Sequence, residues 1–471
     1  MDAVAAQIQA IADNITLYAT IWILLGTGVF LTWRTRGVQF RLFGHMVHVV
    51  LGSRGGSHGG ISSFQAFCIS LAARVGIGNV FGVAAALMIG GPGAIFWMWI
   101  VALVGMATAF FEAVLAQLFK VQAPDGTFRG GPAYYMRYGM KSKVLSTIFA
   151  IITVVTCGVV ITGVQSNAIA STMQGSAGTS PVFTAVLLFA FSSLVILGGI
   201  RSVARVTEWM APIMALIYVV MAFVIVVMNI GEFPRVIGQI FQSAFSPEPL
   251  VGGLGGGILA AVINGIKRGL FSNEAGQGTA PNAAATATVS HPVSQGLIQS
   301  LGVFVDTIII CTATAFVILV AGPDVWTSPD ANPATLTTLA VAHALGDWAV
   351  IPMAFMIFVL AFSSIIAAYV YSEVNLYFVT PHKAGPWVVR VISIASITTG
   401  ALVSLAVVWN TVDIAMAVMT ILNLVALIAL SSWGVAALKD YERQRKAGIE
   451  QPQFVASKAD LPGTLETDVW K

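Results

Sequence analysis

From Val144 to Ile200 the chain runs for 57 residues without a single Asp, Glu, Lys or Arg. A helix that crosses the hydrocarbon core of a bilayer needs about 20 apolar residues. The run is therefore too long for one span and too apolar for a water-facing surface. The cluster QGSAGTSP at 174–181 supplies turn residues that divide it in two. Reading the rest of the chain in the same way gives eleven segments, at 15–33, 62–90, 94–119, 144–170, 181–200, 208–230, 254–280, 295–321, 348–378, 389–409 and 412–438. Charged residues make up only 9% of the chain, against about 25% in soluble domains. They are also uneven: 12 of the 43 formal charges fall in the 33 residues from Lys439 to Lys471. The expected fold class is an all-α polytopic membrane protein of about 11 spans, embedded in a lipid bilayer, with an aqueous C-terminal tail.

Loop charges give an orientation. Arg34, Arg36, Arg41 and Arg54 follow the first segment, and Lys120, Arg129, Arg137, Lys141 and Lys143 follow the third. Arg201 and Arg205 follow the fifth, Lys383 and Arg390 the ninth, and Lys439, Arg443, Arg445 and Lys446 the eleventh. The alternate loops hold no Lys or Arg at 91–93, 171–180, 322–347 or 410–411, and only Arg235 at 231–253. The positive-inside rule then puts the N-terminus outside and the C-terminus in the cytoplasm, in the plasma membrane (the inner membrane of a bacterium). No Lys or Arg precedes Arg34, so the first segment lacks the positive start of a cleaved signal and is expected to stay as a helix. The net charge of +3 is spread without a run of five like charges, which gives no support to a nucleic-acid partner. Cys68, Cys157 and Cys311 lie in apolar segments without metal-ligand spacing and read as small packing residues.

Two segments carry features that a lipid-packed helix avoids. The second contains Arg74-Val75-Gly76-Ile77-Gly78-Asn79, and the seventh contains Phe271-Ser272-Asn273-Glu274-Ala275-Gly276-Gln277-Gly278-Thr279-Ala280-Pro281. Gly costs about 1 kcal/mol relative to Ala inside a helix. Irregular backbone at membrane depth persists only where it lines a cavity or is buried in protein. The two Gly-x-Gly units are 200 residues and five segments apart, so their helices run in opposite directions. This predicts an inverted repeat: residues 1–60 as the N-terminal helix and first cytoplasmic loop, 61–230 as one five-helix repeat, 231–438 as the second, and 439–471 as the tail. Paired interrupted helices point to a transporter site near the midplane, where free amides receive an anionic group and free carbonyls a cation. The alternative for each glycine alone is close helix packing.

Arg74, Lys267, Arg268, Glu112, Glu274 and Asp306 fall within or near the segments. Each would cost at least about 2.5–3.5 kcal/mol as an isolated charge at the bilayer centre. Three bases and three acids could neutralise one another; Arg74 and Glu274, at the breaks, are the coupling or gating candidates.

At these residues the chain resembles the alanine/glycine:cation symporter family, the sodium–alanine symporters. The resemblance rests on SLAARVGIGNV at 70–80, GGPGAIFWMW at 90–99, GLFSNEAGQGTAP at 269–281 and LGVFVDTIIICT at 301–312. It implies the leucine-transporter fold, one N-terminal helix plus five and five in inverted repeat, and co-transport of a small neutral amino acid with sodium. By resemblance, the substrate-binding residues are Val75, Gly76, Ile77, Gly78 and Asn79 at the first break, Phe271, Ser272 and Asn273 at the second, and Gln165 and Asn167 from the fourth segment. The sodium ligands implied are the carbonyls of Ala72 and Val75 and the hydroxyls of Ser363 and Ser364, hard oxygen donors suited to that ion. Arg74 stands where some relatives keep a small residue beside a second sodium, so one sodium is expected. No cofactor is implied beyond the co-transported ion, and a monomer is expected.

Competing functions are proton coupling through Glu274 or Glu112, and a channel. An intramembrane enzyme would need a nucleophile with its base, or paired metal ligands, and the segments carry no such set.

Overall fold

The computed structural model describes residues 2–53, 61–124, 126–247, 257–327, 332–380, 382, 384–403 and 405–470, with the side chains of 2–6, 8, 9 and 405–411 left out. Arg54 and Lys383 lie outside the described residues. Among the described residues the fold is all-helical apart from a two-strand hairpin that pairs Val121–Gln122 with Phe128–Arg129.

Each segment read from the sequence corresponds to helix, but the count of eleven is not reproduced by helix length. Seven described helices are long and apolar enough to cross a membrane, and the broken pair Ser63–Arg74 and Gly78–Gly90, bent by 43°, makes eight. The fifth and tenth segments form helices of only 16 residues, Pro181–Ile196 and Gly385–Gly400. At 1.5 Å per residue these reach about 24 Å, short of a hydrocarbon core of about 30 Å. The seventh segment is divided between Gly257–Asn273 and Ala280–Ala284. Charge-free runs include turn and break residues that do not add helical rise, so helix length by itself does not return their count. The last boundary also differs: the chain turns at 401–403, helix Leu405–Ala429 follows, and after Leu430 a separate helix runs Ser431–Lys446.

Antiparallel placement of the broken segments is visible in their contacts. Ser63–Arg74 packs against Ala280–Ala284, while Gly78–Gly90 packs against Gly257–Asn273. The first half of one thus lies beside the second half of the other, and the two breaks meet. Other corresponding segments also touch. Gly93–Leu118 packs on Pro292–Val303, Thr162–Ala177 on Val350–Val379, and Pro181–Ile196 on Gly385–Gly400. Each pair is five segments apart, as an inverted repeat requires.

The tail is not simply aqueous. The Phe454 amide donates to Ser290 O at 2.9 Å, and the Phe454 ring sits 5.1 Å from His291 and 5.4 Å from Trp470. Trp470 Nε1 donates to Gln117 O at 2.8 Å. Beneath it Lys120 Nζ donates to Ala287 O at 2.8 Å and lies 4.9 Å from the Trp470 ring and 4.0 Å from Phe128. Burial pushes the Lys120 ammonium down to about 7, while the carbonyl and the two ring faces favour its charged form. Trp470 is buried, so replacing it with Ala removes both its packing area and its hydrogen bond. Trp470→Ala is expected to weaken tail docking by about 3 kcal/mol. Limited proteolysis should then cut the tail at a protease concentration that leaves the unsubstituted protein whole.

Candidate functional site

Helix Ser63–Arg74 begins with a capping box: Ser62 Oγ accepts from the Gln65 amide at 3.1 Å, and Gln65 Oε1 accepts from the Ser62 amide at 3.0 Å. It ends because Val75 adopts φ −77°, ψ 77°, outside the helical region. The glycines that follow are required by close approach, not by backbone sign. A Cβ on Gly76 would stand 2.1 Å from Ser364 Oγ, and one on Gly78 would stand 3.0 Å from the Ser272 Cα. The second break is built differently. Glu274, Gly276 and Gly278 have φ of 57°, 90° and 84°, the left-handed region that favours glycine. Glu274 occupies it as a non-glycine residue, a strained conformation of the kind found at functional sites.

An unpaired backbone group in hydrocarbon costs several kcal/mol, and side chains satisfy both breaks, one from another segment at the second break and a local one at the first. Glu112 Oε2 accepts from the Gly276 amide at 3.0 Å, and its Oε1 accepts from the Gly278 amide at 2.9 Å and from Asn423 Nδ2 at 2.6 Å. At the first break Asn79 Oδ1 accepts from the Gly76 amide at 3.0 Å. Asn79 Nδ2 then donates to Asp306 Oδ1 at 2.7 Å, and Ser272 Oγ donates to Asp306 Oδ2 at 2.6 Å. Asp306 therefore ties the two breaks together. Asn273 braces the same region, with Oδ1 accepting from the Ala275 amide at 3.0 Å and Nδ2 donating to Thr307 Oγ1 at 3.2 Å.

Between the breaks lies a small cavity of about 10 Å³, room for about one water, lined among others by Gln165, Phe271, Glu274, Gln277 and Ser364. Gln165 Oε1 and both amide atoms of Gln277 are buried without a hydrogen-bond partner. Glu274 Oε2 accepts from Thr279 Oγ1 at 3.0 Å and from Tyr371 Oη at 3.3 Å. Beside the cavity, Ser363 Oγ and Ser364 Oγ donate to Ala72 O at 3.1 and 2.9 Å, and Ser364 Oγ also reaches Ala73 O at 3.1 Å. Ser364 belongs to both features. Four oxygens of hard character thus converge where helix Ser63–Arg74 ends, next to the buried Val75.

Of the residues singled out in the sequence, Gln165, Phe271, Glu274, Ser363, Ser364 and Ala72 come together at or beside the cavity. Gly76, Ile77 and Gly78 form the buried break itself, while Asn79, Ser272 and Asn273 serve the Asp306–Thr307 network. Asn167 does not reach the cavity. It donates to Gly400 O at 3.2 Å and Val403 O at 2.5 Å, capping the end of the tenth-segment helix. Arg74 is buried and donates to Gln299 O at 3.2 Å.

Mutual neutralisation of the six buried charges is not what the structure has. Lys267 and Arg268 pair instead with Asp413, at 3.6 and 2.9 Å, and Lys267 also pairs with Asp13. Among the described residues Glu112, Glu274 and Asp306 have no basic side chain within ion-pair distance, and neutral donors serve them. Sequence reasoning missed Asp413, although a lone acid in an apolar run was a signal. It also missed Gln277, which sits inside the quoted motif, and Met416, which lines the cavity with no signal in the sequence.

With this geometry in view, a sequence profile of the sodium:alanine symporter family matches residues 1–456. The chain belongs to the sodium:alanine symporter family. It is 43% identical to the amino-acid carrier protein AlsT of Bacillus subtilis, over 96% of this chain and 94% of that one. It is 37% identical to the sodium/alanine symporter AgcS of Methanococcus maripaludis, over 90% and 94%. The probable sodium/glutamine symporter GlnT of Bacillus subtilis is 42% identical over 92% and 90%. Among solved structures, MhsT in complex with L-phenylalanine superposes with a TM-score of 0.61 at 14% identity, over 82% of this chain and 93% of that one. That likeness places this symporter-family member in the leucine-transporter fold.

Gly76→Ala would drive a methyl into Ser364. It is expected to cost about 1–3 kcal/mol of stability by overpacking, and Ser364→Gly in the same chain should restore part of the loss. Thermal unfolding in detergent of the two single variants and the double variant measures this coupling.

Proposed function

We propose that the protein carries a small neutral amino acid, alanine or glycine, across the membrane together with one sodium ion, by alternating access. The observation that carries this reading is the shared Ser364, which faces the cavity and also stands in the oxygen cluster with Ser363 and Ala72. Sodium held there by the carbonyls of Ala72 and Val75 and the two hydroxyls would fix Ser364 and the end of helix Ser63–Arg74. Each ligand then orders part of the other's site, which is the thermodynamic requirement for coupling.

The asymmetry of the breaks supports a direction for the substrate. Glu112 already occupies the amides of Gly276 and Gly278, so the second break has no vacancy for a carboxylate there. The substrate carboxylate goes to the first break, at the N-terminal end of Gly78–Gly90, where the helix dipole favours an anion. Its ammonium goes to Glu274, with Gln165 Oε1 and Gln277 as further polar partners. Phe271 and Met416 wall the side-chain end, and the close packing there favours a small side chain over the longer one of glutamine. Arg74, buried beside the break, supports a single sodium. Proton coupling through Glu112 is disfavoured because both of its oxygens accept backbone amides; Glu274 is the remaining proton candidate. The plasma membrane, an outside N-terminus, a cytoplasmic C-terminus and a monomer complete the reading, with Arg74 and Glu274 in the coupling role.

Uptake of labelled alanine into proteoliposomes tests the proposal. A sodium gradient should drive it, and glycine should compete while glutamine and phenylalanine do not. Uptake driven by a pH gradient in sodium-free buffer would overturn sodium coupling in favour of the proton. Ser363→Ala and Ser364→Ala should each raise the sodium concentration needed for half-maximal uptake, whereas an unchanged requirement would remove these hydroxyls from the site.

Glu274→Gln keeps the shape of the side chain but removes the charge facing the ammonium. A hydrogen bond to a charged group is worth about 1.5–3 kcal/mol, so KM for alanine should rise roughly 10-fold to 100-fold. An unaltered KM would place the ammonium elsewhere.

A further inference from the structure

A second concave site lies away from the central cavity, where the first span ends against helix Ser431–Lys446. It holds about 270 Å³, and its lining includes Arg34, Val435, Lys439, Asp440, Arg443 and Asp460. Val435, Lys439 and Arg443 are spaced four residues apart and share one helix face. Gly434, Ala437, Leu438 and Tyr441 on the other face are buried against the bundle. This helix therefore presents a basic stripe to the outside while its apolar side is anchored.

The charges in the pocket do not cancel locally. Asp440 is engaged by Arg443, by His291 at 3.3 Å and by Gln444 at 2.8 Å. Asp460 lies 3.7 Å from Arg443. Both acids are thus occupied by one arginine and its neighbours. Among the described residues no ion pair forms to Arg34 or Lys439, and the Arg34 guanidinium only overlies the Phe30 ring at 5.8 Å. Two cations without acidic partners therefore face a pocket whose wall also holds Ser432, the engaged Asp440, Arg443 and Asp460, and the apolar Val435, Ala436 and Pro462. Trp33, next to Arg34, is 73% exposed at the end of a span, the position where indole rings mark the headgroup level.

We propose that this pocket binds the phosphate of an anionic phospholipid headgroup in the cytoplasmic leaflet. The guanidinium of Arg34 takes two phosphate oxygens in its planar fork, and Lys439 adds a point charge. The acyl chains run along the lipid-facing side of the first span, where Val29 and Trp22 are exposed. Helix Ser431–Lys446 also carries the Arg41–Glu442 pair at 2.7 Å, so a lipid held here fastens the tail helix to the first span and its loop. The choice of leaflet rests on the orientation proposed above; binding itself does not.

The test uses the full-length protein in neutral detergent, titrated with phosphatidylglycerol, phosphatidylcholine or inorganic phosphate while thermal unfolding is followed. Phosphatidylglycerol should raise the unfolding temperature saturably and phosphatidylcholine should not. Removing both free cations in Arg34→Gln/Lys439→Gln should raise the phosphatidylglycerol needed for half the effect by about 25-fold, taking about 5-fold per basic residue. Arg34→Lys/Lys439→Arg should retain the response, which separates loss of charge from misfolding. Potassium chloride at about 1 M, where the Debye length is about 3 Å, should abolish it in the unsubstituted protein. Equal responses to the two lipids, or an undiminished response in the Gln variant, would overturn the site. An equal response to inorganic phosphate alone would overturn the lipid as its source. Sidedness is read separately, by labelling Ala447→Cys in right-side-out vesicles, so an error in orientation is distinguishable from an error about binding.

Discussion

Unpaired backbone groups are the constraint on which this structure depends. Two helices are broken at membrane depth, where no solvent can satisfy the freed amides. The protein answers with side chains: Glu112 from a neighbouring segment to Gly276 and Gly278, and Asn79, local to the first break but held by Asp306 from another segment, to Gly76. These contacts fix where the third and eighth segments stand against the breaks. They also decide which backbone groups are left for a ligand.

The same logic explains the distribution of buried charge. Acids near the breaks are stabilised by neutral hydrogen-bond donors and amide dipoles, while Lys267 and Arg268 find their partners in Asp413 and Asp13. The ion pairs join the seventh segment to the last span and to the added N-terminal helix.

Much of the fold was legible. Long charge-free runs mark helices in lipid, and two Gly-x-Gly units 200 residues apart mark antiparallel broken helices, as the contacts between Ser63–Arg74 and Ala280–Ala284 bear out. The segment count was less legible. Runs such as 181–200 include residues that turn instead of rising, and the resulting helices are 16 residues long. The site was legible where a motif concentrates unusual residues, as at Phe271 and Glu274. It was not legible where one side chain from a distant, ordinary-looking helix turns inward, as Met416 does. Asn167 and Gln165 are two residues apart, so they point to different faces of one helix; only the fold shows that Gln165 faces the cavity and Asn167 the tenth segment.

By itself, the sequence determined the solvent, the helical class, the location of the two breaks and the family, because these follow from local composition and from motifs contiguous in the chain. Tertiary structure alone decided the partners: Glu112 on the second break, Asp413 with Lys267 and Arg268, Gln277 in the cavity, and the tail folded back through Phe454 and Trp470. Each of these is a meeting of residues far apart in the chain. Pairing in a low-dielectric interior depends on distances of about 3 Å, which composition and spacing do not encode.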